Sequence, residues 1–218
     1  MHNHSGHTAF GDPEAMALFD QLLGKFSATS DIVERSRIDD EVWERFGTEG
    51  AVFISDMSGF SRSTRALGIC HFLAQIHRIR PIVGRAVSDH GGTLIKCETD
   101  NCYAYFPAVD EALEASLRIN SELAEINVQL DSNDRAFVSI GIDFGKLLLI
   151  GSDEYYGDPV NTASKLGEDL AARSEILLTQ RAMDRVTLNV EKDADPRRER
   201  ISGIDIDYVC FDMAVRLP

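Results

Sequence analysis

A short apolar run that ends in a carboxylate limits this chain more than any other feature. Residues 51–55 are rich in β-branched and aromatic side chains, and Asp56 follows them directly. Small residues at Ser58 and Gly59 then turn the chain, and the polar segment 61–64 can begin a helix. This order predicts a buried strand that delivers Asp56 to a loop above a helix N-terminus.

Such a loop suits a phosphate together with a divalent cation. The N–H groups at a helix N-terminus and the helix dipole favour an anion, and a carboxylate binds a hard cation. An aspartate that only caps the following helix fits the same pattern. Taken alone, the segment therefore leaves two interpretations of Asp56 open, a metal ligand and a helix cap.

Charge and composition exclude several classes of function. The chain has 218 residues, of which 44% are hydrophobic, and a formal net charge of −14. This length and composition predict one ordinary globular domain with an extension. So acidic a chain disfavours binding to nucleic acid or to an anionic membrane, because long-range repulsion opposes each encounter. No apolar run approaches the roughly 20 residues that cross a bilayer, so no membrane span is expected.

The cysteines and the N-terminus predict no metal site. Cys70, Cys97, Cys102 and Cys210 match no zinc-binding spacing, and no secretory signal precedes them. We therefore expect a cytoplasmic protein with reduced, mostly buried thiols. The His-rich segment 1–7 predicts a disordered tail rather than a ligand set.

The order of predicted elements indicates an α+β fold. Two helices are expected first, over 13–27 and from 31 to about 46. The patterns beyond them predict a strand at 51–55, a helix to about 89 with a break near Gly68 and a kink at Pro81, and a hairpin at 93–97 and 102–106. A helix at 110–128 follows, and then a strand at 137–143 that turns at Gly145 into a partner strand at 146–150. The last predicted elements are a helix at 160–172, a strand at 175–178, a short helix at 180–186, a charged loop at 191–200 and a strand pair at 201–215.

The order β-α-β-β-α-β is that of a ferredoxin-like, split βαβ unit, extended here by further elements. We predict a tail and helical extension over residues 1–48 and one domain of catalytic size over residues 49–218.

A second group of polar residues lies at the predicted hairpin. Lys96, Glu98 and Asp100 lie in or beside its tight connection. In a split βαβ fold the first strand and this hairpin lie side by side, so Asp56 and Asp100 converge at neighbouring strand ends. Two carboxylates so close repel unless cations lie between them, as in a site that holds two Mg²⁺ ions for phosphoryl transfer. Ordinary turn chemistry also explains Asp100 and Asn101.

A third candidate lies in the segment 154–165. Pro159 can begin a helix on which Asn161 and Lys165, four residues apart, share one face. An amide and a cation placed in this way can hold a sugar hydroxyl and a phosphate oxygen. A solvated helix face that is capped by Asp158 is the alternative.

In this order and spacing the three segments resemble the class III adenylate and guanylate cyclases. The family's first metal motif, Phe-x-Asp-x-x-Gly-Phe-Thr, is similar to residues 54–61. Its Lys-x-x-Gly-Asp segment resembles residues 96–100, and its Gly-Asp-x-Val-Asn-x-Ala-Ser-Arg segment resembles residues 157–165. The likeness covers roughly residues 49 to 215 and implies a nucleotidyl cyclase catalytic domain.

The resemblance implies a metal and phosphate site. Asp56 and Asp100 would bind two Mg²⁺ or Mn²⁺ ions, and the Met57 carbonyl would assist. One ion would lower the pKa of the ribose 3′-hydroxyl, whose oxygen attacks the α-phosphorus of ATP and expels pyrophosphate, and the other would bind the triphosphate. Phosphates would also accept hydrogen bonds from the backbone of four residues, Ser58, Gly59, Phe60 and Ser61.

The resemblance also implies how the sugar and the base are bound. Asn161 would orient the ribose, and Lys165 would stabilise charge on the α-phosphate. Lys96 occupies a position that is Lys in adenylate cyclases and Glu in guanylate cyclases, and Glu154 occupies the partner position. A Lys donor and a carboxylate acceptor favour ATP, although guanine fits the same pair tolerably.

Lys96 and Asp100 lie on one hairpin, yet they are required at opposite ends of one nucleotide. The resemblance implies a head-to-tail homodimer with two equivalent sites. In each site one chain provides Asp56 and Asp100, and the other provides the residues that bind the base and the sugar.

Four positions depart from the family pattern. Lys165 replaces an Arg and lacks its planar fork. Thr99 replaces a Gly beside Asp100, and Ser139 and Ser202 stand where triphosphate-binding cations are usual.

These departures leave a second function open, a catalytically silent nucleotide-binding or dimerisation module that regulates a partner. If the protein is an active cyclase instead, Lys146, Arg198 or Arg200 are candidates to replace the missing cations.

Overall fold

One mixed sheet organises the described part of the chain. The computed structural model describes residues 12–58, 60–190, 194–201 and 203–213, in which eight strands pair. The elements are, in order, α1 (Pro13–Ala28), α2 (Ile32–Phe46), β1 (Gly47–Met57), α3 (Phe60–Leu67), α4 (Ile69–Asp89), β2 (Thr93–Glu98), β3 (Asn101–Phe106), α5 (Val109–Val128), β4 (Val138–Ile150), β5 (Glu154–Tyr156), α6 (Asp158–Ser164), the π-helix π1 (Lys165–Leu170), β6 (Glu175–Thr179), α7 (Gln180–Met183), β7 (Asp195–Ile201) and β8 (Ile204–Asp212). The predictions for Gly59, Ser202 and the segment 1–7 lie outside the described residues.

The topology confirms the predicted α+β fold of the ferredoxin-like, split βαβ type. The strand order is β2-β3-β1-β4-β6-β8-β7, and β5 pairs with the end of β4. Neighbouring strands are antiparallel except β4 and β6, which are parallel. The predicted first strand thus lies between the hairpin and β4, near the middle of the sheet.

Helices α4 and α5 cover one face of the sheet. The buried side chains of α4 recur every three or four residues, which places them on one face of the helix. They pack with alternate residues of β1, such as Ala51 and Phe53, in the largest core cluster. Pro81 lies inside α4, and the helix continues through it without dividing.

Helix α6 and π1 lie on the opposite face. Ala163 packs there with Val52 and Ile54, the β1 residues that alternate with those of the larger core. A Cβ on Gly141 would lie 2.3 Å from the Ala163 carbonyl oxygen and 2.4 Å from the Gly167 nitrogen. A glycine is therefore required for α6 and π1 to approach β4 this closely.

The N-terminal helices pack against the far end of β4. Phe19, Leu22 and Ile38 form a separate cluster with Phe46 and Ile150. The side chains of two aspartates, at the starts of α1 and α2, accept hydrogen bonds from backbone N–H groups of the first turns. Because α2 ends where β1 begins, the strand starts two residues before the predicted boundary at residue 49. The division into two units stays a prediction.

The predicted turn at Gly145 is wrong. Residues Val138–Ile150 form one strand, because β1 has 11 residues and pairs with β4 along its whole length, with Gly50 opposite Gly145. The partner of the last part of β4 is β5 instead.

Two other boundaries differ from the sequence prediction. The helix expected over 160–172 is divided into α6 and π1, where Lys165 begins the π-helix. The charged loop expected over 191–200 contains the edge strand β7, in which Arg197 pairs with Glu175 at 2.9 Å and Arg198 with Asp205 at 3.4 Å. Exposed charges are typical of an edge strand, and they mask its strand pattern in the sequence.

The prediction of reduced thiols is wrong for one pair. Cys97 and Cys102 lie directly opposite each other in the β2–β3 hairpin, with Cα atoms 4.2 Å apart, and form a disulfide. Hairpin register brings them together, which spacing alone does not reveal. Cys210 is buried as expected, whereas Cys70 is exposed. In the described residues no helix is long and apolar enough to cross a membrane.

Candidate functional site

Strand register places the predicted acidic and basic residues on one face of the sheet. Ile54 lies opposite Tyr103, and Tyr103 lies opposite Lys96, so these residues form a row across three strands. Asp56 lies two residues beyond Ile54 and therefore shares its face. The same face carries α6 and π1.

Asp56 lies among other carboxylates. Partial burial, together with the charges of Asp100 and Glu168, raises its pKa to about 7, although a backbone hydrogen bond from Met57 opposes the shift. Asp56 and Asp100 thus converge at neighbouring strand ends, as the sequence predicted. Glu168 was not predicted, because its place in the sequence gives no sign that π1 carries it to the hairpin.

The donors at this end suit a hard divalent cation. Two carboxylates and the Met57 carbonyl are all oxygen ligands, the type that Mg²⁺ and Mn²⁺ prefer. A cation would remove the repulsion that raises the pKa of Asp56. Within the described residues, no group of three or more His, Cys, Asp or Glu side chains is already arranged to hold a metal ion. The residues fit a pair of ions that phosphate oxygens would help to coordinate.

The predicted base-binding pair is in direct contact. The Lys96 ammonium lies 3.3 Å and 3.4 Å from the two carboxylate oxygens of Glu154, and 3.4 Å from Glu98. Burial lowers the pKa of Lys96, but the two carboxylates outweigh this and raise it overall. The pair offers a charged donor and an acceptor side by side on one chain.

Tyr103 connects the two ends of this surface, and sequence reasoning missed it. Its ring lies 5.8 Å from the Lys96 ammonium, and its hydroxyl donates to Glu168 at 3.3 Å. The Asn101 amide donates to the same hydroxyl at 3.3 Å. The alternation of β3, in which residues 101, 103 and 105 are less buried than their neighbours, is the signal that could have identified it.

Asn161, on α6, and Lys165, at the start of π1, line one cavity of about 340 Å³. The cavity also includes Ile206 of β8, which lies beyond β4 from β1 in the strand order. Neither Asp56 nor Asp100 lines it.

A buried ionic network holds the start of α6. Arg181 donates to Asp143 at 2.7 Å through Nε, and it also binds Asp158 at 2.7 Å. Asp143 is fully buried and accepts further hydrogen bonds from Thr179 and from the Phe144 N–H. The hydrogen bonds to Asp143 and Asp158 raise the pKa of Arg181. The network fixes the start of α6, which carries Asn161 and leads to Lys165 at the start of π1.

The predicted phosphate loop is only partly free to bind an anion. The Ser58 N–H donates to the Phe137 carbonyl at 3.0 Å, so this predicted phosphate donor is already occupied. Phe60 and Ser61 begin α3, as expected. Thr99 has a φ of 48°, a left-handed conformation that favours the Gly it replaces.

Ser139 does not supply a free polar group at the phosphate end. It is buried opposite Asp56, and its hydroxyl donates to the carbonyls of Asp56 at 3.3 Å and Gly167 at 3.1 Å. Lys146 is no replacement within one chain, because it lies seven residues along β4, about 23 Å from Ser139. Arg198 and Arg200 lie on β7, at the far edge of the sheet, and pair with Asp205.

Comparison with solved structures identifies the fold. The chain is similar to an adenylate/guanylate cyclase/hydrolase from Silicibacter pomeroyi, with 22% identity over 76% of this chain and 96% of that one, and a TM-score of 0.65. The guanylyl cyclase Cya2 is 16% identical over 75% and 91% of the two chains, with a TM-score of 0.63. A bacterial light-regulated adenylyl cyclase is 18% identical over 92% of this chain and 66% of that one, with a TM-score of 0.66.

At these identities the likeness establishes the fold, which is that of adenylate and guanylate cyclase catalytic domains. Scans of protein-family models and of curated proteins found no match.

Proposed function

We propose that this protein is an adenylate cyclase that converts ATP to 3′,5′-cyclic AMP and pyrophosphate at a homodimer interface. The observation that carries the proposal is the convergence of Asp56 and Asp100 on the sheet face that also presents Lys96 and Glu154. The fold shared with cyclase domains supports it. The likeness includes both adenylyl and guanylyl cyclases, so guanylate cyclase activity is the alternative.

The chemistry divides among residues of two chains. Asp56, Asp100 and the Met57 carbonyl would hold two Mg²⁺ or Mn²⁺ ions, which when bound would acidify the ribose 3′-hydroxyl and neutralise the triphosphate. The Asn161 amide orients the ribose so that its 3′-oxygen attacks the α-phosphorus in line with the departing pyrophosphate. The Lys165 ammonium stabilises the charge that develops on the α-phosphate.

The lining of the cavity at Asn161 and Lys165 supports the head-to-tail homodimer. Neither Asp56 nor Asp100 lines this cavity, and in the proposed dimer a second chain brings the two pairs to one nucleotide. Mixing the inactive variants Asp56→Asn and Lys165→Ala then restores activity, since each mixed dimer contains one intact site. Random mixing gives about a quarter of wild-type activity. Absence of recovery in a mixture that exchanges chains would contradict the dimer.

The base is assigned from the Lys96–Glu154 pair. Lys96 donates to adenine N1, and the Glu154 carboxylate accepts from the N6 amino group. ATP is abundant in the cytoplasm, where we place the protein. A disulfide is unusual in that compartment, so thiol titration of Cys97 and Cys102 in freshly lysed cells checks this assignment.

A silent regulatory module is the second candidate. The burial of Ser139 favours it, because its hydroxyl binds backbone carbonyls and offers no cation to the triphosphate. In that case the N-terminal unit, residues 1–48, transmits nucleotide binding by the remaining domain to a partner.

One assay separates these candidates. The purified protein is incubated with ATP or GTP and with Mn²⁺ or Mg²⁺, and cyclic nucleotides are measured by mass spectrometry. We expect cyclic AMP in excess over cyclic GMP, with dependence on the metal. No product at high protein concentration, together with retained ATP binding, would favour the silent module.

A further inference from the structure

A cation from an unexpected element lies at the phosphate end of the candidate site. The loop between π1 and β6 carries Arg173 to the edge of the sheet where β4 begins. Backbone hydrogen bonds hold this loop. The Ser174 N–H donates to the Val138 carbonyl at 3.1 Å, and the Ser174 carbonyl accepts from the Met213 N–H at 3.2 Å. The position of Arg173 along the sheet is therefore determined by β4 and β8.

The Arg173 guanidinium lies over the Phe137 ring, 4.2 Å from its centroid. Phe137 precedes β4, and its carbonyl binds the Ser58 N–H at the start of the predicted phosphate loop. Ser139 lies directly opposite Asp56, and Phe137 lies two residues before it. By strand alternation Phe137 shares the face of Asp56, at a diagonal spacing of about 7 Å.

Among the ion pairs of the described residues Arg173 takes part in none, whereas Arg181, Arg197 and Arg198 are each paired. A guanidinium that stacks on an aromatic ring keeps its N–H edge available for a planar or tetrahedral anion. Beside an acidic cluster such as Asp56 and Asp100, an uncompensated arginine matches the charge pattern of a metal–triphosphate complex.

We propose that Arg173 binds the β- or γ-phosphate of the nucleotide and so replaces the cation that Ser139 lacks. This inference rests on the proposed nucleotide site. It identifies Arg173 as a substrate-binding residue that is delivered by the π1–β6 loop, from the same chain as Asp56 and Asp100. The Phe137 ring holds the guanidinium in place through stacking.

Direct binding measurements test the inference independently of turnover. Arg173→Met keeps a long apolar stem on Phe137 but removes the charge, and Arg173→Lys restores the charge. Isothermal titration with Mn²⁺–ATP and with adenosine separates phosphate contacts from base contacts. We expect the Arg173→Met variant to bind ATP at least about tenfold more weakly, since hydrogen bonds between charged groups have this strength. Its adenosine affinity stays unchanged, and Arg173→Lys recovers most of the ATP affinity.

Arg185 offers a matched control. It lies over the ring of Phe144, in the middle of β4, at 4.6 Å from the ring centroid, and also lacks an ion pair among the described residues. Arg185→Met should leave both affinities unchanged. Melting temperatures close to that of the wild type verify that the variants fold.

The outcomes distinguish the two proposals. An Arg173→Met variant that binds ATP as the wild type does overturns the inference, even if the protein is an active cyclase. A loss that is equal for ATP and adenosine also overturns it, because a general disturbance of the site explains that result. If the wild type makes no cyclic nucleotide but its ATP affinity depends on Arg173, the cyclase proposal fails and the inference stands. If the wild type binds no ATP, both fail.

Discussion

Two aspartates on neighbouring strands of the same sheet face have opposite surroundings. Asp143 on β4 is fully buried, and it accepts hydrogen bonds from Thr179 and Arg181. Asp56 on β1 is less buried, yet its pKa is raised to about 7 by that burial and by the nearby carboxylates of Asp100 and Glu168. The two carboxylates therefore differ in their charged neighbours: Asp143 has a guanidinium beside it, whereas Asp56 has other carboxylates.

The comparison separates a structural acid from a candidate functional one. Asp143 has its cation, Arg181, within the chain. Asp56 lies with two other acids, and a bound cation would reduce the repulsion among them. Arg173, which takes part in no ion pair among the described residues, lies near Asp56.

The same substitution at Asp56 and at Asp143 gives the most direct contrast. We expect Asp56→Asn to lower cyclase activity at least about 1000-fold, which corresponds to about 4 kcal/mol, because a metal ligand is lost. The metal-free variant should melt at or above the wild-type temperature, since a repelling charge is removed. Activity is measured as cyclic AMP production, with Asp39→Asn on α2 as the surface control. Retained activity would show that Asp56 is not a metal ligand.

Asp143→Asn is expected to act on stability instead. An amide cannot bind the Arg181 guanidinium as a carboxylate does, and the loss should be about 2–4 kcal/mol in the free energy of unfolding. The value is below the range for a wholly buried pair because the Arg181 side chain is 46% exposed. Urea denaturation measures it. Arg181→Met should lower the free energy of unfolding less when Asp143→Asn is already present than it does in the wild type. If Asp143→Asn lowers the free energy of unfolding no more than Asp39→Asn does, the structural role of Asp143 is contradicted.

The pH dependence of the metal-free protein sharpens the comparison. The pKa of Asp56 is raised on folding from 3.8 to about 7, so the folded state holds a proton that the unfolded state releases in this interval. The contribution of Asp56 to the free energy of unfolding is therefore most favourable below pH 4. It falls by about 2 kcal/mol as the pH rises to 7, a value that allows for solvent screening. Melting curves across this range measure the change. The dependence should be reduced in Asp56→Asn and at saturating Mn²⁺, and an unaltered profile in both would contradict the assignment.

The substitution Thr99→Gly should have the smallest effect of these variants, and it should act on stability. Its left-handed backbone, with φ of 48°, is held where Arg80 donates to the Thr99 carbonyl at 2.6 Å. Thr99→Gly should relieve this conformation and stabilise the protein by about 0.5 kcal/mol, after the greater freedom of glycine in the unfolded chain is subtracted. Differential scanning calorimetry measures it, with Thr187→Gly as a comparison at a position that is not among those with positive φ. A loss of stability at Thr99 would show that the turn does not favour glycine.

Sequence patterns predicted most of the elements, because helices and the hairpin depend on local periodicity and turn chemistry. The helices that correspond to α4 and α5 and the turn near Asp100 were predicted correctly. Motif spacing likewise identified Asp56, Asp100, Lys96 and Glu154, which the structure brings to one sheet face. The errors had two causes. The uninterrupted β4 depends on β1, a partner distant in sequence, whereas the exposed charges of the edge strand β7 mask its strand pattern.

The amino-acid sequence by itself determined the fold class, the residues of the acidic and basic pairs, and the absence of a cation at position 139. Only the tertiary structure placed Glu168 and Tyr103 between these pairs, joined Cys97 to Cys102, and stacked Arg173 on Phe137. The physical reason is that the path of π1 over Gly141 depends on contacts between residues far apart in the chain, and that the pairing of Cys97 with Cys102 depends on the register of their hairpin. Local sequence cannot specify such contacts until the sheet has formed.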